Sequence, residues 1–189
     1  MNETIAIIPC TNQKSSVAGP ANEVWQGAHF QLTLYHAQKW YDKVLVMSFK
    51  YGLISPDFVI EPYDIDLQFA TAAEKLEWWW QVKDQIKNLI EEEPKLIGVY
   101  TGDVERKRFI REFVRNGYRT VIIPWEGVPI GERMQMVYDD AEPFNLALLE
   151  AGEYELPEDY GAPKKRGRPK KIEEPEADLE DLAWTDDQH

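Results

Sequence analysis

The sequence predicts an α/β fold: an open, mainly parallel sheet of four strands with helices on both faces, followed by a disordered acidic tail. Four short runs rich in Val and Ile alternate with longer helical patterns. The runs are apolar on both faces, which is typical of strands in a buried parallel sheet. From about residue 151, Gly, Pro and charged residues largely replace the large aliphatic ones. We therefore expect an α/β domain over residues 1–150 and a disordered tail over residues 151–189.

The elements follow from these patterns in chain order. Strands are predicted at residues 4–9, 43–48, 95–100 and 119–124, and helices at residues 27–41, 71–93, 104–116 and 131–150. Pro94 and Gly117 each end a helix just before the next strand. Residues 51–70 interrupt the alternation with two prolines and four acidic residues. A structureless segment of that length in a compact domain is usually functional.

Two of the predicted helices have unusual surfaces. Trp78, Trp79 and Trp80 are consecutive, and successive helical residues point about 100° apart, so at least one indole must lie on the surface or in an interface. On the helix at 104–116 three arginines share one face, which is either a solvated face or a stripe that binds the DNA backbone: Arg108, Arg111 and Arg115.

Composition excludes several classes of protein. The formal net charge is −13, so the chain as a whole should repel DNA, and any DNA affinity must come from a local basic segment. Cys10 is the only cysteine, which rules out an intramolecular disulfide and suits a reducing cytoplasm. No apolar stretch approaches the roughly 20 residues of a membrane span. We expect a soluble cytoplasmic protein with no membrane partner, associated with the nucleoid when it is bound to DNA.

A basic octapeptide stands inside the acidic tail, at residues 164–171. It consists of Lys164, Lys165, Arg166, Gly167, Arg168, Pro169, Lys170 and Lys171. The glycine lets the backbone lie flat on the floor of a narrow groove, and the two arginines can spread along A·T-rich DNA, where negative potential is concentrated. The segment resembles an AT-hook, which binds the minor groove of A·T-rich DNA. The alternative is a basic linker or a localisation signal.

Polar residues follow all four predicted strands, and the carboxyl ends of parallel strands meet at one rim of a sheet. We expect a substrate-binding site there, formed by Cys10, Thr11, Lys14, Tyr51, Gly102, Glu126, Gly127 and Gly131. Lys14 and Lys50 could contact phosphate or remain exposed, and Tyr51 could stack on a base or pack in the loop. Cys10 could be a nucleophile, but buried inert cysteine is the commoner fate.

Three residues are the candidate catalytic groups: Lys50, Glu61 and Asp64. In glycosidic hydrolysis a carboxylate activates water and stabilises a positively charged transition state. The alternative for Asp64 is that it caps a turn. The carboxylates of Glu61, Asp64 and Asp66 could also hold Mg²⁺, but their spacing is not diagnostic, so no metal or cofactor is expected.

Several blocks of the sequence resemble an uncharacterised domain family of bacterial and phage proteins. They are Pro-Cys-Thr with Lys14, the stretch from Ser48 to Asp57 with Glu-Pro-Tyr-Asp after it, and Gly-Val-Pro-Ile-Gly-Glu-Arg at residues 127–133. That family is similar to the YaaA-type peroxide-stress proteins and, more distantly, to uracil-DNA-glycosylase-type α/β folds. The resemblance covers residues 4 to about 150 and implies a fold and a site region, without an established reaction.

Together these observations predict a DNA-directed protein. The leading expectation is an enzyme that hydrolyses or modifies a nucleobase or nucleotide, targeted to A·T-rich DNA by the hook. One alternative is a non-catalytic DNA-binding or architectural protein. Another is a phage–host interaction protein whose acidic tail, which contains Leu179, Leu182 and Trp184, binds a protein partner.

Overall fold

The computed structural model describes residues 3–64, 69–145 and 151–152 of the 189-residue chain. In chain order the strands are β1 (Thr4–Pro9), β2 (Gly19–Pro20), β3 (Lys43–Ser48), β4 (Gly52–Ile54), β5 (Val59–Ile60), β6 (Leu96–Val99) and β7 (Val121–Ile122). The helices are α1 (Ala21–Val24), α2 (Ala28–Trp40), α3 (Ala72–Glu91), α4 (Asp103–Arg115) and α5 (Ile130–Tyr138). The predicted tail lies outside the described residues, apart from residues 151–152.

The main sheet has five strands, in the order β4-β3-β1-β6-β7. β1 pairs in parallel with both β3 and β6, and β6 pairs in parallel with β7. β4 runs antiparallel to β3, while β2 and β5 form a separate antiparallel pair. The mainly parallel sheet is confirmed, but its predicted number of four strands is wrong.

Helices cover both faces of the sheet, as predicted. Alternate residues of β1 point to opposite faces: Ala6 and Ile8 enter a core with α2, whereas Ile5 and Ile7 enter a core with α3 and α4. The β1 residues on both faces of the sheet are almost fully buried. Burial on both faces explains why the parallel strands appear in the sequence as continuous apolar runs.

The predicted loop at residues 51–70 contains the extra strand β4. A three-residue turn at residues 49–51 reverses the chain, and Gly52 follows with a φ of +72°, a conformation that glycine adopts without steric cost. The side chain of Gln85 on α3 then bonds β4: its Oε1 accepts from the Leu53 N–H at 2.8 Å, and its Nε2 donates to the Leu53 carbonyl at 3.2 Å. A strand of three residues is too short to show a hydrophobic period.

The last predicted helix, at residues 131–150, ends much earlier than expected. α5 stops at Tyr138, because the Ala141 N–H bonds the Met136 carbonyl at 2.9 Å and the Asp140 N–H bonds the Val137 carbonyl at 3.2 Å. Asp140 has a φ of +56°, so it occupies the left-handed position that glycine usually takes in this helix-ending motif. Residues 146–150 lie outside the described part of the chain.

The other predicted elements differ from the observed ones by only a few residues. Thr71 caps α3 with a capping box, in which its hydroxyl accepts from the Glu74 N–H and the Glu74 carboxylate accepts from the Thr71 N–H. Gly117 follows α4 with a φ of +82° and ends that helix, as predicted. Of the three consecutive tryptophans, Trp78 is buried and Trp80 is 57% exposed. No helix of the described residues is long and apolar enough to cross a bilayer.

Candidate functional site

The strand order places a topological switch point beside β1. From β1 the chain crosses to β3 on one side and later returns to β6 on the other, so the connections diverge above the carboxyl ends of β1 and β6. In open α/β sheets ligands bind at such points. The predicted rim residues divide there into two neighbouring groups, one at the ends of β1 and β3 and the other at the ends of β1, β6 and β7.

The first group surrounds Tyr63, and we call it the tyrosine cluster: Cys10, Lys14, Ser48, Lys50, Tyr51, Glu61 and Tyr63. The Tyr63 hydroxyl lies 2.8 Å from the Ser48 Oγ and also bonds the Cys10 thiol. Ser48 accepts a further bond from the Tyr51 N–H at 3.2 Å. Hydrogen bonds therefore join the ends of β1 and β3 to the segment that follows β5.

Two lysines of the tyrosine cluster lie over its aromatic rings. The Lys14 Nζ is 4.7 Å from the Tyr63 ring centroid, and the Lys50 Nζ is 5.0 Å from that of Tyr51 and 5.8 Å from that of Tyr63. Both ammonium groups are thus held near one ring by cation–π attraction. Such an arrangement leaves their remaining donors available to an anionic group.

The candidate carboxylates of the predicted site differ in the contacts that they form. The Glu61 Oε2 is 4.0 Å from the Lys50 Nζ, and its side chain is 81% exposed. The backbone N–H of Glu61 donates to the Tyr51 hydroxyl at 3.3 Å, which ties the residue to the cluster. Asp64 is exposed and forms no hydrogen bond or ion pair with another described residue. Asp66 lies outside the described residues.

Cys10 is poorly suited to nucleophilic attack. Burial raises the pKa of its thiol, and the nearby Lys14 opposes this effect without reversing it. Burial likewise raises the pKa of the Tyr63 hydroxyl. The Cys10–Tyr63–Ser48 chain is therefore protonated at neutral pH, which suits a structural or hydrogen-bonding role.

The second group encloses a cavity of about 490 Å³, which we call the switch-point cavity. Its walls come from the ends of β1, β6 and β7, from α2 and from α5, and they comprise Pro9, His29, Thr33, Val99, Tyr100, Thr101, Gly102, Pro124, Trp125, Val128, Pro129, Arg133, Met134 and Val137. An apolar and aromatic wall with a few polar groups is typical of a small-molecule site.

Trp125 shapes this cavity through an uncommon backbone conformation. Its φ is +53°, in the left-handed region that large side chains rarely adopt. The indole Nε1 donates to the Glu142 carbonyl at 3.1 Å, and the ring packs 5.3 Å from His36 and 6.1 Å from Tyr100, measured between centroids. These contacts hold the indole at the carboxyl end of β7.

The other predicted site residues lie around these two groups. Gly102 lines the cavity as the N-cap of α4. Glu126, Gly127 and Gly131 are exposed beside it, between β7 and the first turn of α5. Thr11 packs against Gly27, where a Cβ would collide with the threonine hydroxyl.

The predicted DNA-binding residues are only partly described. On α4, Phe109, Ile110 and Phe113 are buried against the sheet. Arg108 and Arg111 are half-buried, and Arg115 is 67% exposed with its Nη1 3.8 Å from the Glu112 Oε2. All residues of the predicted AT-hook at 164–171 lie outside the described part of the chain.

Several residues of these groups were not predicted. Tyr63 belongs to the Glu-Pro-Tyr-Asp block, and Trp125 and Arg133 belong to or adjoin the block at residues 127–133, so their motifs carried a signal. His29 and Thr33 come from α2, and nothing in the sequence of an amphipathic helix shows that it faces a cavity. Among the described residues, no group of three or more His, Cys, Asp or Glu side chains is placed to hold a metal ion.

Comparison with known proteins assigns the chain to a family without assigning a function. No curated protein and no solved structure matches it. The model of a family of unknown function, DUF6884, matches residues 5–139, which include the tyrosine cluster and all the residues that line the switch-point cavity. The chain therefore belongs to the DUF6884 family.

Proposed function

We propose that this domain binds a nucleobase or nucleotide in the switch-point cavity. One observation carries the proposal: a cavity of about 490 Å³ at the carboxyl ends of β1 and β6, walled by Tyr100 and Trp125 and supplied with the guanidinium of Arg133. This volume falls within the range of roughly 300–1,000 Å³ for small-molecule sites. Stacking of a base on an aromatic side chain contributes about 1–3 kcal/mol.

DNA is the proposed source of that base. The Arg-Gly-Arg-Pro core at residues 166–169 has the composition of an AT-hook, which favours a DNA substrate. An enzyme that acts on a base must extrude it from the duplex, so it needs both a pocket for the base and a second contact that holds the DNA. The cavity and the hook would supply these two functions.

Hydrolysis of the N-glycosidic bond is the proposed reaction. Water adds to the sugar C1′, the bond from C1′ to the base breaks, and the base leaves with a proton. Glu61 or Asp64 would accept the proton of the attacking water, since both carboxylates are exposed. Lys14 and Lys50 would contact the phosphates, and Tyr51 would stack on a neighbouring base.

The binding step can be tested with variants of one wall residue. Tyr100→Phe keeps the aromatic ring, whereas Tyr100→Leu keeps an apolar side chain of related size and removes the ring. A nucleoside measured by titration calorimetry should bind Tyr100→Leu about tenfold more weakly than Tyr100→Phe, because stacking is lost. Equal binding by the two variants would contradict a base in this cavity.

The reaction can be tested separately. A·T-rich duplexes with unmodified and modified bases are incubated with the protein, and released bases are measured by mass spectrometry. Glu61→Gln and Asp64→Asn remove one carboxylate each. The variant that loses the carboxylate which accepts the proton from water should no longer release the nucleobase, although it should still bind DNA. Glu77→Gln, an exposed carboxylate on α3, is the matched control. Binding without release by the unaltered protein would instead indicate a non-catalytic DNA-binding protein.

The hook has its own test. Replacing Arg166 and Arg168 with Ala should weaken binding to A·T-rich duplex and flatten the dependence of log K on log salt by about 1–2, because two phosphate-region contacts are lost. Release of a base from a short single-stranded substrate should be unaffected. Unchanged duplex affinity at low salt would remove the AT-hook from the proposal.

A further inference from the structure

One end of the switch-point cavity has the features of an anion site. Pro129, the N-cap of α5, lines the cavity and provides no capping side chain. The N–H groups of Ile130, Gly131 and Glu132 in the first turn have no intrahelical acceptor, and together they carry part of the positive end of the helix dipole. Nothing lies within 4 Å of the place where a Cβ on Gly131 would stand, so this turn is open.

Arg133 brings a full positive charge to the same place. Its Nε donates to the Val128 carbonyl at 2.5 Å, which fixes the guanidinium at the start of α5. The side chain is half-buried and lines the cavity. Within the described part of the chain it forms no ion pair with a carboxylate, and the neighbouring Glu126 and Glu132 are exposed to solvent. Guanidinium groups bind carboxylates and phosphates through two parallel hydrogen bonds.

Thr101 supplies an independent observation on the strand side of the cavity. The residue is only 4% exposed and lines the cavity, yet its Oγ1 has no hydrogen-bond partner among the described residues. Buried hydroxyls are normally bonded, so an unpartnered hydroxyl in a residue that lines a cavity is a candidate partner for a bound ligand.

The second helix that begins at this cavity is less suited to an anion. α4 starts after Gly102, and a carboxylate oxygen of Glu105 lies 3.5 Å from where a Cβ on Gly102 would stand. That negative charge already interacts with the amino end of α4. The first turn of α5 also contains a carboxylate, that of the exposed Glu132, but Arg133 adds a full positive charge there, so the α5 end is the better candidate for a ligand's negative charge.

We propose that the α5 end of the switch-point cavity is a phosphate subsite, formed by the guanidinium of Arg133, the first-turn N–H groups of α5 and the Thr101 hydroxyl. The ligand class is then a nucleoside monophosphate or a nucleotide of DNA, with its base against Tyr100 and Trp125. The identification of the base rests on the proposed function, whereas the phosphate subsite does not depend on it.

Three probes separate the two proposals: a nucleoside, its 5′-monophosphate and inorganic phosphate, each measured by titration calorimetry with the full chain. We expect the monophosphate to bind at least about tenfold more tightly than the nucleoside, because its phosphate accepts charge-assisted hydrogen bonds that the nucleoside cannot form. Arg133→Gln should reduce that difference to about twofold or less. Arg133→Lys keeps the charge but loses the bidentate geometry, so it should retain part of the difference in affinity between monophosphate and nucleoside.

Thr101→Val keeps the side-chain shape and tests the subsite even if Arg133→Gln proves unstable. It should weaken binding of the monophosphate at least about threefold and leave binding of the nucleoside unchanged, since one neutral hydrogen bond is lost. A nucleoside that binds as tightly as its monophosphate would overturn the phosphate subsite and leave the proposed function standing. Binding of inorganic phosphate without binding of the nucleoside would support the subsite and overturn the proposed function.

Discussion

At the scale of single residues, Trp125 differs from the other strained positions. Three non-glycine residues in the described part of the chain have a positive φ: Glu93, Trp125 and Asp140. Glu93 and Asp140 directly follow the C-caps of α3 and α5, where a left-handed residue ends the helix. Trp125 ends no helix and forms a wall of the switch-point cavity. Its backbone conformation costs roughly 1–3 kcal/mol, and this strain positions an aromatic ring in the cavity wall.

His36 makes folding stability depend on pH. The residue is fully buried, with one ring nitrogen 2.8 Å from the Ala141 carbonyl and the other 3.3 Å from the Tyr100 hydroxyl. Burial lowers the pKa of its imidazole in the folded protein; the hydrogen bond to the Ala141 carbonyl opposes this effect in part, and the positive charge of Lys39 adds to it. The unfolded chain therefore takes up a proton that the folded chain does not, starting near the ordinary value of about 6.5.

Stability should consequently fall as the pH drops below about 6.5, by up to about 1.4 kcal/mol per pH unit until the lowered pKa is reached. Urea unfolding at pH 7.5, 6.5 and 5.5 measures this loss. His36→Gln should flatten the dependence in this interval, whereas His29→Gln, which changes an exposed imidazole, should not. If the free energy of unfolding depended equally on pH in the unaltered protein and in His36→Gln, the assignment of this dependence to His36 would be wrong.

Sequence patterns predicted some residues of the site and missed others for identifiable reasons. Lys50, Tyr51 and Glu61 follow β3 in one atypical segment, so their position at the rim could be expected from strand polarity. The cavity residues Tyr100 and Thr101 also follow a strand, but Thr33 depends on how α2 is rotated against the sheet. Rotation of a helix about its axis is set by how its side chains pack against the sheet, which a single sequence does not specify.

At the scale of elements, alternation of strands and helices was predictable because the buried parallel strands appear as continuous apolar runs and the helices show a period of about 3.6 residues. β1 and β3 match the predicted bounds, and α2, α3 and α4 differ from theirs by no more than two residues at either end. The missed strands β2, β4 and β5 have two or three residues each, too few to show a period. The overextended α5 reflects a helix end formed by Asp140 where glycine would have been recognisable.

The exposed face of α4 allows a test of DNA contact away from the cavity. Arg108→Gln combined with Arg115→Gln should weaken duplex binding and flatten its salt dependence by about 1–2, because two arginines no longer neutralise phosphates. The charge-matched control is Lys83→Gln with Lys87→Gln on α3. Affinity measured by fluorescence anisotropy across a salt series should separate the pairs; an equal loss in both would indicate a general effect of charge.

At the scale of the whole molecule, charge is distributed unevenly. Residues 1–149 carry a net charge of −6 and residues 150–189 a net charge of −7. Within that last part, the basic segment at residues 164–171, which is predicted to be an AT-hook, carries +6 and residues 172–189 carry −8. A tethered acidic segment competes with DNA phosphates at high effective concentration.

Deleting residues 172–189 should therefore strengthen binding to A·T-rich duplex. The gain should shrink as salt rises, because screening weakens the attraction between the acidic segment and the hook. Anisotropy titrations at low and high ionic strength measure both effects. A full-length variant in which the eight acidic residues become Asn or Gln controls for chain length. Equal affinities of the truncated and the unaltered protein at low salt would show that the acidic segment does not mask the hook.

We expect the bonds between Gln85 and Leu53 to protect the protein against self-association as well. An edge strand offers unpaired N–H and C=O groups to a second chain, and this is how many sheets polymerise. Gln85 occupies both groups of Leu53 on β4, and β7 at the opposite edge has only two residues. Gln85→Leu keeps the volume and frees the edge, so light scattering should show concentration-dependent aggregation that the unaltered protein lacks. In this fold a single side-chain amide substitutes for a neighbouring strand and keeps the sheet finite.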